Sequence, residues 1–414
     1  MVRSLRVHHQ RRDGESVPAG TLAEHSGRMY FQYFPAFLER GFSLSPFHLP
    51  FDDQLHEHRD RAFGPLPGVF DDSLPDGWGR LLMDRHFRRL GLELRGLSPL
   101  QRLAWLGTRT MGALTYHPPE PEEQGGGLLD LAELARQSRE LFSGQAREVL
   151  PQLLRAGGSP GGARPKVVIG WLPETDEVLS GADPLPSGFQ PWLLKFTARE
   201  DPPDTGAVER AYALMAVAAG VDMPPTRLFE LPSGDRFFGT QRFDRDGDRR
   251  IHVHTFGNLI HSDFRIPSCD YQDLLKATLL LTRRQGEVLR AYRRMAFNVL
   301  AHNRDDHVKN FAFLFDDQAG EWRLTPAYDL TFSHGPGGEH AMTVGGEGRA
   351  PGPADLLRLA GPAGIAAGEA KGIVAEVQDA VGRWRTFAEL AGVGPAQLWE
   401  VQRALAALRR VAAK

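Results

Sequence analysis

The chain has 414 residues, 41% hydrophobic and 24% charged, the composition of a folded protein too long for one ordinary core. A net charge of −3 gives no global attraction for nucleic acid or an anionic membrane, and a single cysteine, Cys269, excludes an internal disulfide or a cysteine-based zinc site. Met1–His9 holds no apolar signal core and no run reaches membrane-spanning length, so the expectation is a cytoplasmic enzyme or regulator.

In chain order, Leu5–His8 and Arg28–Tyr33 read as strands with Ala19-Gly20-Thr21-Leu22 between them. Leu74-Pro75-Asp76-Gly77-Trp78 leads into a helix ending near Gly91, and Gly107–Tyr116 reads as a returning strand. Pro118 to Gly127 is Pro, Glu and Gly without periodicity, the composition of a linker. The expected division is therefore an N-terminal subdomain over 1–118, a linker over 119–127 and a second unit over 128–414. That unit opens with helices near Leu129–Phe142 and Gln145–Arg155. A Gly-rich stretch, Gly157 to Lys166, runs into the strand Val167–Trp171, and a second apolar run, Pro191–Phe196, carries Lys195 near its end. Glu209 opens a helix that stops at Gly220, and Thr226–Leu231 and Arg236–Arg242 form a hairpin around Pro-Ser-Gly-Asp. From Tyr271 onward the pattern is mostly helical. Val374, Val377, Val381, Trp384 and Ala388 make one apolar stripe that reads as core. Strands first and helices after predict an α+β chain: a small N-terminal α/β subdomain, then a two-lobed protein-kinase-like domain with a mostly helical C-terminal lobe.

Chemistry concentrates at Asn303–Asn310, a polar run between an apolar helical pattern and a strand-like one. Asp305 and Asn310 stand five apart, as Asp and Asn do in the catalytic loop of protein kinases. A hairpin over Phe311–Phe315 and Glu321–Thr325 separates them from Asp329, placed as a second metal-binding Asp would be. Asp and Asn also cluster in loops because they cap helices and make Asx turns, which is the plain alternative for this run. The Gly-rich stretch is not a Walker A motif, since Ala163 stands where that motif needs lysine. Its glycines would let backbone N–H groups approach a phosphate, with Arg164 and Lys166 adding charge; the alternative is a flexible linker. Lys195 is placed to hold nucleotide phosphates, or is an ordinary strand-end lysine. Glu209 could pair with it, or be a surface acid at a helix start.

Ser159-Pro-Gly-Gly-Ala-Arg-Pro-Lys166, Gln241-Arg-Phe-Asp-Arg245, Asp305-Asp-His-Val-Lys-Asn310 and Pro326-Ala-Tyr-Asp329 together resemble the motifs of HipA-type serine/threonine kinases, the toxins of bacterial toxin–antitoxin pairs. Gly20-Thr21-Leu22, Phe31-Gln32-Tyr33 and Leu74–Gly77 are similar too, so the likeness covers nearly the whole chain. The resemblance implies ATP with Mg²⁺ and phosphorylation of a protein substrate, in the family an aminoacyl-tRNA synthetase. It also implies a small helix-turn-helix antitoxin through which alone DNA is bound. By position, Asp305 matches the catalytic Asp, Asn310 and Asp329 the metal ligands, and Lys195 the phosphate-binding lysine. Gly161, Gly162, Ala163, Arg164, Pro165 and Lys166 match the loop around the nucleotide, and Gln241, Arg242 and Phe243 the inter-lobe segment that holds adenine. His307 and Lys309 sit within the catalytic loop, where His307 would brace the loop or touch substrate. Ser159 matches a serine that such kinases phosphorylate on themselves.

The chain departs from the pattern at three places. Gln241 replaces a usual Glu. Asp306 stands where Gly is frequent, and this extra carboxylate could raise the pKa of Asp305 or recruit another cation. His252-Val253-His254-Thr255 replaces an acidic run, which puts a substrate-binding role of those acids in doubt. The competing functions are a kinase acting on a small molecule and a catalytically idle repressor component. The presence of Asp305, Asn310, Asp329 and Lys195 argues against idleness.

Overall fold

The computed structural model of the protein describes residues 2–11, 14–119, 128–145, 149, 151–158, 161–181, 184–198, 200–247 and 249–412. Among the described residues, three hydrophobic cores organise the structure. The first lies under an antiparallel five-stranded sheet with the order His56–Glu57, Arg28–Tyr33, Ser16–His25, Ser4–Gln10, Leu114–His117. Alternating burial along these strands (Leu5 and Val7, then Met29, Phe31 and Tyr33) sends one face inward. Ala19–Leu22, left between two strands by the sequence, lies inside the central strand, pairing with both neighbours. The returning strand starts seven residues later than its apolar run, at Leu114.

The second core crosses the position expected for the linker. Trp78, Leu82, Met83 and Phe87 of the Gly77–Arg89 helix pack with Leu131, Leu134 and Leu141 of the Leu131–Phe142 helix against Val167, Ile169 and Leu194. Those last residues belong to a second antiparallel sheet, ordered Val178–Ser180, Lys166–Trp171, Gln190–Lys195, Arg236–Gln241, Thr226–Glu230. The N-terminal helices are thus welded onto the back of this sheet. The expected helix near 145–155 is observed over Pro151–Gly157, and residues 120–127 of the expected linker lie outside the described residues.

The third core is the helical part. Val288, Ala291, Tyr292, Met295, Ala296 and Val299 bury the i, i+3, i+4 face of the Gln285–Leu300 helix. All five residues of the C-terminal stripe, Val374 to Ala388, are buried as expected. The Thr205–Ala218 helix joins this core from the sheet side. It starts four residues before Glu209, so Glu209 sits inside the helix and is buried instead of capping it at the surface. Within this part a small antiparallel sheet, His252–Thr255, Ala312–Asp316, Glu321–Leu324, carries the predicted hairpin. The α+β, kinase-like order expected from the sequence is the observed one. Among the described residues no helix is long and apolar enough to cross a membrane.

Candidate active site

The site lies between the second sheet and the helical part. Lys166 and Lys195 are direct cross-strand partners, so strand pairing alone brings the Gly-rich stretch beside the strand lysine. The Lys195 ammonium is 2.5 Å from Glu209 Oε1 and also bonds Asp329 Oδ1, joining the sheet, the Thr205–Ala218 helix and the segment after the hairpin. Burial works against charge on Lys195, but Asp329 and Glu209 outweigh it and raise its pKa. Burial likewise opposes charge on Asp329, yet Lys195 and Lys166 hold its carboxyl well below the ordinary range. Lys166 is itself buried and its pKa is lowered, by desolvation first and by Lys195 besides. Asp329 adopts φ +53°, left-handed backbone that a non-glycine residue rarely holds without a surrounding structure to enforce it.

The Asn303–Asn310 run forms a tight loop. Asn310 Nδ2 donates to the Asp305 carbonyl at 2.6 Å, which closes the five-residue span, and the Tyr328 hydroxyl donates to the Lys309 carbonyl at 2.7 Å. The second bond ties this loop to the segment that carries Asp329. Asp305 is the exposed residue of this loop, although its carboxyl lies against protein. Its pKa is raised, first by desolvation, with Asp329 and Asp306 adding to the effect and His307 opposing it. His307 lies 5.3 Å from the Phe264 ring, and its Nδ1 is buried without a hydrogen-bond partner among the described residues.

Several of the residues singled out by the sequence have protein partners in the structure. Asp306 is fully buried, with both its oxygens bonded to protein groups. Its Oδ2 accepts from the Tyr271 hydroxyl at 2.7 Å and lies 2.8 Å from His340 Nδ1, and its Oδ1 accepts from Ala341 N at 2.9 Å. Arg164 is ion-paired with Asp201. The N–H groups of Gln241 and Arg242 already donate to the Pro225 and Pro191 carbonyls, each at 2.9 Å, so neither amide is left for adenine. The Arg242 guanidinium is buried in a two-pronged pair with Asp244 at 2.9 and 2.8 Å. Phe243 lies 5.6 Å from the Tyr328 ring. The His252–Thr255 departure is a strand whose His254 is held between Ser45 (2.9 Å) and Asp72 (2.5 Å) of the N-terminal part. Ser159 lies outside the described residues.

Three acids of the N-terminal part stand at the site without having been assigned to it from the sequence: Asp71 and Asp72, and Asp76 within the Leu74–Gly77 stretch. Lys309 Nζ is 3.4 Å from Asp71 and 4.0 Å from Asp76, and these carboxylates with Asp72 raise the Lys309 pKa against the burial that lowers it. Their nearness to Lys309 follows from packing between distant segments.

Among the described residues no cluster of three or more His, Cys, Asp or Glu could hold a metal. What the site offers is the sparse oxygen set, an amide at Asn310 and a carboxylate at Asp329, that suits Mg²⁺, which keeps several waters and shares phosphate oxygens. Asn310 commits its amide nitrogen to the Asp305 carbonyl. Lys195 takes only one oxygen of Asp329.

Residues 158–384 match the HipA-like C-terminal domain family and residues 14–117 the HipA N-terminal domain family. A protein of Sinorhizobium fredii named as a kinase, Y4dM, is 24% identical over 283 residues. That alignment covers 64% of this chain and 62% of the relative, so the chain spans less than two thirds of that relative's length. Among solved structures, HipA of the Shewanella oneidensis MR-1 toxin–antitoxin system, determined with HipB and its operator DNA, superposes with a TM-score of 0.72 at 15% identity. The superposition covers 98% of this chain and 96% of that one, so the two share a fold over their length. With family matches to both its halves, one of them spanning more than half of its residues, the chain belongs to the HipA family.

Proposed function

We propose that the protein is an ATP- and Mg²⁺-dependent kinase of the HipA type that phosphorylates a serine or threonine of a protein substrate. The observation that carries this reading is the Lys195 ammonium bridging Glu209 and Asp329, with Lys166 beside it and the Asp305–Asn310 loop tied alongside. Lys195 and Lys166 would hold nucleotide phosphates, assisted by the Gly161–Lys166 backbone, and Asn310 and Asp329 would hold Mg²⁺. The metal would neutralise charge on the phosphates. Asp305, open to solvent, would accept the proton of the substrate hydroxyl or orient that hydroxyl toward the phosphate. Phe243 and the carbonyls of Gln241 and Arg242 would bound the adenine, and His307 and Lys309 would order the loop. Ser159, two positions before Gly161, is the proposed site of autophosphorylation. A phosphate there would compete for the donors that bind ATP.

Membership in the family supports the remaining assignments: a small helix-turn-helix antitoxin as partner, DNA reached through it, a cytoplasmic site of action, and an aminoacyl-tRNA synthetase as the substrate class. The division into an N-terminal subdomain over 1–118 and a kinase-like domain over 128–414 is retained as part of this proposal. Incubation with Mg²⁺ and labelled ATP, followed by recovery of label in protein and small-molecule fractions, tests the function. Label in a small molecule alone would favour the small-molecule kinase, and none anywhere would favour the idle reading.

Two further outcomes are expected. ATP stabilises the protein only with Mg²⁺ present, by about 2.7 kcal/mol at a hundredfold excess over the dissociation constant, and Asp329→Ala removes most of the gain. An equal melting shift with and without metal would overturn the assignment of Asn310 and Asp329. Because the Asp305 pKa is raised above its ordinary 3.8, the form able to accept a proton is lost at a higher pH than for a free carboxyl. The acid limb of kcat/KM, which reports the free enzyme, should therefore fall above that value, and a midpoint at or below it would contradict Asp305 as the titrating group.

A further inference from the structure

We propose that Asp76, in the N-terminal part, is a positioning residue that latches the Gly161–Lys166 loop and Lys309 into register with one another. The bearing of this latch on catalysis rests on the kinase reading above. Asp76 occupies the N-cap of the Gly77–Arg89 helix, where an aspartate ordinarily accepts hydrogen bonds from the first helical N–H groups. Here its side chain makes no cap bond. It reaches instead across the chain, where Oδ1 accepts from Gly162 N, and Oδ2 lies 4.0 Å from Lys309 Nζ. One carboxylate thereby touches the Gly-rich loop and the loop of Asp305 at once.

The neighbouring residues are shaped for the same contact. Gly77 sits at φ +41°, and a Cβ there would lie 2.6 Å from the Gly162 carbonyl and 2.7 Å from the Ala163 Cα. Trp78 N donates to the Gly162 carbonyl at 3.0 Å, and the Trp78 indole N–H donates to the Lys166 carbonyl at 3.0 Å. Gly162 has φ +96°, and a side chain there would collide with the Lys166 ammonium. The loop is thus gripped at Gly162 and Lys166 by three consecutive residues of another part of the chain. Asp76 gives up its cap to do so.

The test compares Asp76→Ala and Asp76→Asn in the full chain by two measurements. Amide hydrogen exchange at residues 161–166, without nucleotide, should show protection of Gly162 lowered about tenfold or more in the Ala variant, the scale for losing a hydrogen bond to a charged acceptor. The Asn variant keeps an acceptor oxygen and should retain most of the protection. In steady-state kinetics the Ala variant should raise KM for ATP about tenfold with kcat changed far less, and Asn should largely rescue it. A role limited to folding would instead lower the melting point and leave KM alone. Unchanged exchange in Asp76→Ala overturns the latch whatever the wild type does with ATP. Tighter ATP binding by both variants also overturns it, because Asp76 would then be occupying the place of a phosphate. Lost protection in Asp76→Ala, alongside a wild type that never turns over ATP, would support the latch while removing the kinase reading.

Discussion

Asp305→Asn should lower phosphoryl transfer by about 10²–10⁴-fold, the range for removing a group that positions or takes a proton in the transition state, while ATP binding stays close to wild type. Only the backbone carbonyl of Asp305 bonds Asn310, so the substitution leaves the loop's own closure in place. The ion group that would bind phosphate and metal, Lys195 with Glu209 and Asp329, does not use the Asp305 side chain. Rates of label transfer and ATP affinity by calorimetry separate the two effects. Full activity in the variant would remove Asp305 as the catalytic group. Loss of ATP binding along with activity would mean that the loop had collapsed.

Asp306→Ala is expected to be the most destabilising single change at the site, at about 3 kcal/mol or more. Asp306 is wholly buried and is contacted by three polar groups: the Tyr271 hydroxyl, His340 Nδ1 and Ala341 N. Truncation takes this partner from each of them in a closed interior, at about 1–3 kcal/mol apiece. The loss would spread, because Asn298 Nδ2 donates to the same Tyr271 hydroxyl at 2.9 Å and Asn298 Oδ1 accepts from Asn303 Nδ2 at 3.0 Å. One buried chain of hydrogen bonds therefore runs from the Tyr271–Thr282 helix to the start of the Asn303–Asn310 loop. A urea midpoint shift at unchanged slope reads the effect. A cost under about 1 kcal/mol would show that Asp306 anchors nothing. Its position next to Asp305 made it look like part of the chemistry. Its burial makes it the anchor of the 339–341 segment.

Much of this protein is legible in one dimension because its signals are local. Alternation along Arg28–Tyr33, the apolar stripe from Val374 to Ala388 and the Thr226–Gln241 hairpin are set by side-chain period and turn chemistry, and each appears where the pattern places it. The five-residue spacing of Asp305 and Asn310 is local as well, and the loop closes on it. Lys195 and Glu209 are a different case. Either is unremarkable in its own segment, and only the pairing of strand and helix brings them to 2.5 Å.

What tertiary structure alone decided is the destination of polar groups that could serve more than one partner. Arg164 pairs with Asp201, Asp306 turns into the core, and His254 bonds Ser45 and Asp72. Asp76 leaves its helix cap for a glycine 86 positions away. A carboxylate or guanidinium carries the same hydrogen-bonding capacity wherever it stands in the sequence. Which partner it takes depends on which groups folding brings within about 3 Å after water has been excluded, and that is a property of packing between distant segments.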